Sequence, residues 1–169
     1  LLINVTNAVI DDYLGDYNVR GITVVRSSNV AINGSRFNNN IEAGVHVVDC
    51  QDGSVKVENS TFTTVDGDDG ILLEGSRGAR VAGNSITGGV NGIVVRASDL
   101  GHGGHRITEN AITGQSMHGI LLGGPSLTEG DQVLNNTIRD SGGAGVMISF
   151  GRTLMVSGND ISGCTQGIG

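Results

Sequence analysis

The sequence predicts an all-β chain folded as a right-handed parallel β-helix. The expected solenoid has about seven rungs, with three short strands in each. Three observations carry this. A Gly that opens an apolar segment returns at Gly21, Gly44, Gly70, Gly92, Gly119, Gly145 and Gly167, at intervals of 22–27 residues. A polar anchor returns in a second column at Ser35, Ser60, Asn84, Asn110, Asn136 and Asn159. The chain has 29 Gly, one Pro and no Trp, which suits many turns around a thin core. A repeat of this length marks an array whose units bury their apolar faces on one another.

The three strands follow from side-chain phase. After each Gly, the first and third residues are aliphatic: Ile22/Val24, Val45/Val47, Ile71/Leu73, Ile93/Val95, Ile120/Leu122 and Val146/Ile148. Period 2 is the spacing of a strand with one buried face. Three residues before each anchor stands Ile32, Val57, Val81, Ile107, Val133 or Val156. Two residues after it stands Phe37, Phe62, Ile86, Ile112, Ile138 or Ile161. These segments are short, β-branched and punctuated by Gly, which favours strand over helix. The period lacks a Leu-rich consensus and has no six-residue repeat, which separates it from two other solenoid types. Asn84, Asn110, Asn136 and Asn159 should stack as an internal ladder, because an amide can donate and accept along the rod at once. Asn7 is a poorer candidate for an earlier copy of the anchor.

By length the chain is a single β-helix domain over residues 1–169. It begins at Leu1 and stops within an apolar repeat, and no capping helix is legible. The expectation is a piece of a longer chain without its end caps, since an open solenoid end exposes core and strand edge. Net charge is −7 with one Lys, Lys56. That composition argues against nucleic acid, which needs clustered Lys and Arg. No membrane span is legible. Cys50 and Cys164 lie almost five rungs apart, about 20 Å by the strand spacing, too far for a disulfide.

Departures from the minimal rung are where function gathers in solenoids. Segment 11–17 lengthens one turn and carries Asp11, Asp12, Asp16 and both tyrosines, Tyr13 and Tyr17. It reads as a solvated loop or as a lip over a groove. Segment 99–105 holds Asp99, His102 and His105, a possible metal set. Segment 123–131 reads as a plain loop. The strand opened by Gly has an outward face as well. There Leu72, Val94, Leu121 and Met147 form an apolar stripe over four rungs, which asks for cover by missing segments, a second copy or a ligand. Glu74 and Arg96 stand on adjacent rungs of the same face and should pair.

The residue before each Gly makes another column, in which Asp69, Asn91 and His118 follow one another. Asp66 and Asp68 lie beside Asp69. Carboxylates this close recruit a cation or raise a pKa, and oxygen ligands suit Ca²⁺. The candidate metal residues are therefore Asp66, Asp68 and Asp69. The candidate acid/base groups are Asp69 and His118. His46, Glu74, Asn91 and Arg96, along the same face, are the candidate substrate-binding residues. Turn chemistry before a strand is the simpler account of Asp-Gly and Asn-Gly.

The Asn-x-Ile and Gly-Ile-x-Val repeats with their Asn column resemble the right-handed β-helix proteins of the pectate-lyase-like superfamily. That group includes pectate lyases, polygalacturonases, mannuronan C5-epimerases and carbohydrate-binding β-helices. Asp68-Asp69-Gly70-Ile71 is similar to the paired aspartates of polygalacturonases, and Glu42 could stand for a further Asp of that family. The Gly-His-Gly and Arg-Ile-Lys of polygalacturonases and the Asp-Pro-His of the epimerases are absent. The resemblance implies an extracellular or periplasmic protein whose partner is an acidic polysaccharide, bound along the Gly strand. If the chain is an enzyme, it would be a lyase, epimerase or hydrolase. The alternative is a non-catalytic structural or adhesion solenoid that assembles through the apolar stripe. A scaffold of this kind does not by itself specify a reaction.

Overall fold

The computed structural model describes residues 1–51, 54–64, 67, 69–97, 103–124 and 128–169. All regular structure in it is β: three parallel sheets run along a solenoid, and a further parallel sheet has two short strands. The glycine sheet has eight strands in chain order: Leu2–Ile3, Arg20–Val25, Ala43–Val48, Asp69–Glu74, Asn91–Arg96, Ile120–Gly123, Ala144–Ile148 and Gln166–Ile168. The second sheet runs from Thr6–Asp11 through Ser28–Asn33, Val55–Glu58, Arg80–Ala82, Arg106–Thr108 and Gln132–Leu134 to Met155–Ser157. The third contains Arg36–Asn38, Thr61–Thr64, Ser85–Gly88, Ala111–Thr113, Thr137–Arg139 and Asp160–Ser162. Six third-sheet strands make about six complete turns of the solenoid.

Every inward position read from the repeat lies in the core. Val24, Val47, Ile71, Leu73, Ile93, Val95, Ile120 and Leu122 are fully buried from the glycine sheet. Ile32, Val57, Val81, Ile107 and Val133 meet them from the second sheet, and Phe37, Phe62, Ile86, Ile112 and Ile138 from the third. Ile148, Val156 and Ile161 pack on this core half-buried. Phe37 and Phe62 stack with ring centroids 4.9 Å apart, continuing the Ile column in aromatic form. The recurrent Gly is steric in origin. A Cβ on Gly92 would lie 2.5 Å from the Gly119 carbonyl oxygen and 2.6 Å from Ile112 Cγ2.

The Asn ladder forms at the bend between the second and third sheets. Asn84, Asn110 and Asn136 are buried, and Asn159 is half-buried. The backbone N–H of Asn84 donates to Asn110 Oδ1 at 3.0 Å, and that of Asn110 to Asn136 Oδ1 at 3.0 Å. Each Nδ2 also donates to a second-sheet carbonyl, Asn110 to that of Val81 at 3.0 Å. Ser60 and Ser35 continue the column through their hydroxyls. The residue above them is Tyr13, whose N–H donates to Ser35 Oγ at 3.1 Å. Asn7 belongs to the neighbouring column of the second sheet, where its Oδ1 accepts from Asn29 Nδ2.

Segment 11–17 is accordingly part of a rung and not a lip. Leu14 bridges Arg36, the Gly15 N–H donates to the Arg36 carbonyl at 2.8 Å, and Asp16 pairs with Arg36. It continues the third sheet by one row. A second polar ladder lines the opposite bend, six residues after Gly21, Gly44 and Gly70. Ser27 N–H donates to Cys50 Sγ at 3.4 Å, and Cys50 N–H to Ser76 Oγ at 3.0 Å. Cys50 and Cys164 are not bonded to each other. Thr128–Glu129 pairs with Gly151–Arg152, so segment 123–131 contributes a short strand as well as a loop. Among the described residues, no helix is long and apolar enough to cross a membrane.

Candidate functional site

The polar candidates converge on the outward face of the glycine sheet, because parallel in-register pairing brings equivalent positions of successive rungs side by side. Ala43, Asp69 and Asn91 are direct partners, and Val48, Glu74 and Arg96 are partners nearer the strand ends. His118 follows Asn91 on the next rung. The structure thus gathers His46, Asp69, Glu74, Asn91, Arg96 and His118 on one face. Asp66 and Asp68 lie outside the described residues, as do Asp99 and His102.

Hydrogen bonds order the first column. Asn91 Nδ2 donates to Asp69 Oδ1 at 2.9 Å. Asn91 Oδ1 accepts the His118 N–H at 3.2 Å, and His118 Nδ1 accepts the Ala144 N–H at 3.1 Å. A backbone amide can only donate, so Nδ1 is the acceptor and neutral His118 carries its proton on Nε2. His118 therefore has its ring donor at Nε2. Asp69 is half-buried, and its carboxyl is held above the usual carboxylate range. Burial is the main cause; the Asn91 hydrogen bonds and the nearby Arg96 and His46 pull the other way.

The second group is His46 with Glu74. His46 Nε2 lies 2.9 Å from Glu74 Oε2, and a carboxylate only accepts, so Nε2 carries the proton. His46 is 6% exposed, and its Nδ1 is buried without a hydrogen-bond partner. Burial holds the His46 pKa below the usual 6.5; the hydrogen bond to Glu74 opposes this, while Arg20 and Arg96 reinforce it. The predicted Glu74–Arg96 pair is replaced by this one. Arg96 occupies the register-partner position, but its side chain is exposed, and Glu74 reaches diagonally to His46 instead. The signal for the His46–Glu74 contact is a diagonal one: His46 stands two residues after its Gly, and Glu74 four after the next.

The apolar stripe does not lie bare. Leu72 and Val94 are 8% and 1% exposed, and with Ala43 and half-buried Leu121 they form a small outer core. Met147 is half-buried. The chain itself removes Leu72 and Val94 from water, so those two positions need no second copy to cover them.

The two metal expectations fare differently. His105 is fully buried in a bend, with Nδ1 accepting the Ala79 N–H at 3.1 Å and its own N–H donating to Asp131 Oδ1 at 2.9 Å. One of its ring nitrogens is thus already used by the backbone. Of the expected Ca²⁺ cluster, Asp69 alone is described, and Asn91 occupies one of its oxygens. Among the described residues, no group of three or more His, Cys, Asp or Glu side chains is placed to hold a metal.

Three stacked parallel sheets and internal polar ladders define a parallel β-helix scaffold that carries a polar cluster on one outer face. The chain matches the family described as right handed beta helix region over residues 69–169. That span is more than half of the 169 residues, and the chain belongs to this family. A search of curated proteins finds no match.

Proposed function

We propose that the outward face of the glycine sheet binds an acidic polysaccharide, and that Asp69 acts as acid/base on the bound ring in chemistry of the polyuronate lyase, epimerase or hydrolase class. The observation that supports this reading is a half-buried Asp69 carboxyl with raised proton affinity on the same face as the exposed cation of Arg96. A base with an elevated pKa is a stronger proton acceptor at neutral pH. Arg96 would meet the uronate carboxylate and withdraw charge from it, which acidifies the neighbouring C–H. In an elimination, Asp69 takes that proton, the carbon's electron pair expels the glycosidic oxygen, and the Asp69 carboxyl returns the proton to it. His118 Nε2–H and Asn91 would bond ring or bridge oxygens. His46 and Glu74 stand behind the same subsite. An extracellular or periplasmic setting goes with such a substrate.

A second reading has its own support. Asn91 and His118 both accept backbone N–H groups from the next rung, which is a structural task. A non-catalytic solenoid would use them that way alone. Titration calorimetry with polygalacturonate and with alginate, each with and without added Ca²⁺, separates the readings. The wild type should bind one of them, Arg96→Ala should weaken binding about tenfold, and Asp69→Asn should bind without turnover. Added Ca²⁺ should tighten binding only if the carboxylates beside Asp69 hold it. No binding of either polymer under any of these conditions would leave the scaffold reading in place.

A further inference from the structure

Glu74 occupies the middle of three consecutive strands on the candidate face. On one side His46 Nε2–H donates to its Oε2 at 2.9 Å. On the other, Arg96 stands at the register partner of Glu74. Among the described residues, Arg96 takes no part in an ion pair. One carboxylate thus has two neighbouring cations to serve, one of them only potential. His46 becomes a cation by adding a proton at Nδ1, an atom that is buried and has no acceptor. The charges that face its ring are Glu74 and Asp69 on the strand Asp69–Glu74, Arg96 on Asn91–Arg96, and Arg20 on Arg20–Val25. Two guanidinium groups therefore oppose protonation, and the carboxylates favour it.

An anion bound by Arg96 would change this balance. Its charge cancels that of the guanidinium, and the repulsion felt by a protonated His46 falls. We infer that capture of an anionic ligand by Arg96 is coupled to protonation of His46, with Glu74 between them as the shared counter-ion. This rests on the reading that the glycine-sheet face takes an acidic polysaccharide, and it adds a regulation. The complex holds more protons than the free protein, so binding takes up a proton. Affinity then rises as pH falls through the His46 titration of the complex, and levels off below that of the free protein. Such a site grips its polyuronate in mildly acid surroundings and loosens toward neutrality.

The size of the coupling is set by spacing. His46 and Arg96 lie on strands two spacings apart, about 10 Å. A unit charge at that distance in an effective dielectric of about 20 to 80 moves a titration by roughly 0.3 to 1.3 pH units.

The test is an NMR titration of the His46 ring, assigned by its loss in His46→Gln. Free wild type should titrate below 6.5 with the Nε2–H tautomer. Arg96→Ala should raise the midpoint by about 0.3 to 1.3 units, and Arg96→Lys, which keeps the charge, should leave it in place. Saturating polygalacturonate should raise the wild-type midpoint by a similar amount and leave that of Arg96→Ala unmoved. A midpoint unaffected by Arg96→Ala, or an Nδ1–H tautomer, overturns the coupling. Those arms contain no ligand, so they remain decisive if calorimetry finds no polymer binding and the proposed function falls. Polymer binding that leaves the wild-type midpoint in place would also overturn the coupling, while sparing the binding site itself.

Discussion

Asn110 offers the sharpest test of how the rod is held. Its side chain makes four bonds in a buried place. Oδ1 accepts from the backbone N–H and from Nδ2 of Asn84, both at 3.0 Å. Nδ2 donates to the Val81 carbonyl at 3.0 Å and to Asn136 Oδ1 at 2.9 Å. Replacement by Leu removes all four. Asn84 Nδ2 retains the Val57 carbonyl, and Asn136 Oδ1 retains the Asn110 N–H. The Asn84 N–H keeps nothing, and an orphaned buried donor costs about 1–3 kcal/mol. The other lost bonds add about 0.5–1.5 kcal/mol each at most, partly offset by burying a larger apolar side chain. The expected loss for Asn110→Leu is about 3 kcal/mol. Asn110→Ser keeps a hydroxyl acceptor, in the manner of Ser60 toward the Ser35 N–H, and should cost about 1 kcal/mol. Urea unfolding of both variants, read as the shift in midpoint at constant slope, measures the difference. Equal losses for Ser and Leu would show that the acceptor for the Asn84 N–H is not what the ladder supplies.

Two further outcomes are expected from the same structure. Gly92→Ala should destabilise by about 3 kcal/mol, because its Cβ would press on the Gly119 carbonyl and on Ile112 Cγ2; a thermal midpoint within about a degree of wild type would contradict the steric account. Asp69→Asn should stabilise at pH 7 by up to about 1 kcal/mol, since the ionised carboxylate is penalised by burial. The sign is fixed by linkage: the folded state holds the Asp69 proton more tightly than the unfolded chain. The advantage of Asn should therefore vanish below pH 3.8, grow as pH rises to the raised folded value, and stay constant above it. Melts across that range check it.

The scaffold was legible because its causes are local and repeated. A Cβ-free residue is needed wherever one rung's strand passes under the next rung's carbonyl, so Gly recurs in register. The amide column shows itself for the same reason. Tyr13 hid from that pattern because its contribution at the anchor position is a backbone N–H, which any residue supplies. The candidate site was half legible. Register placed Asp69, Asn91 and His118 in one column, and hydrogen bonds join them. The choice of Glu74 between His46 and Arg96 turns on side-chain reach across strands, which spacing does not encode. The burial of Leu72 and Val94 likewise depends on outer-face neighbours from several rungs together.

The ladders have a direction, and it gives the rod a grain. In the bend columns each backbone N–H looks toward the carboxyl-terminal neighbour: Ser35 to Ser60, Ser60 to Asn84, Asn84 to Asn110, Cys50 to Ser76, Ala79 to His105. Parting two rungs at these columns leaves bare donors on the amino-terminal piece and spare acceptors on the other. Stranded buried donors are the costlier of the two. Shedding a rung from the carboxyl-terminal end of the rod is thus harder than shedding one from the opposite end, and unzipping is favoured from the amino-terminal side. The Asn91 and His118 column is wound against this grain, since there the donors look back to the preceding rung. The rungs that carry the candidate site are therefore latched from both directions. The candidate face thus lies at the stretch where the solenoid resists fraying either way.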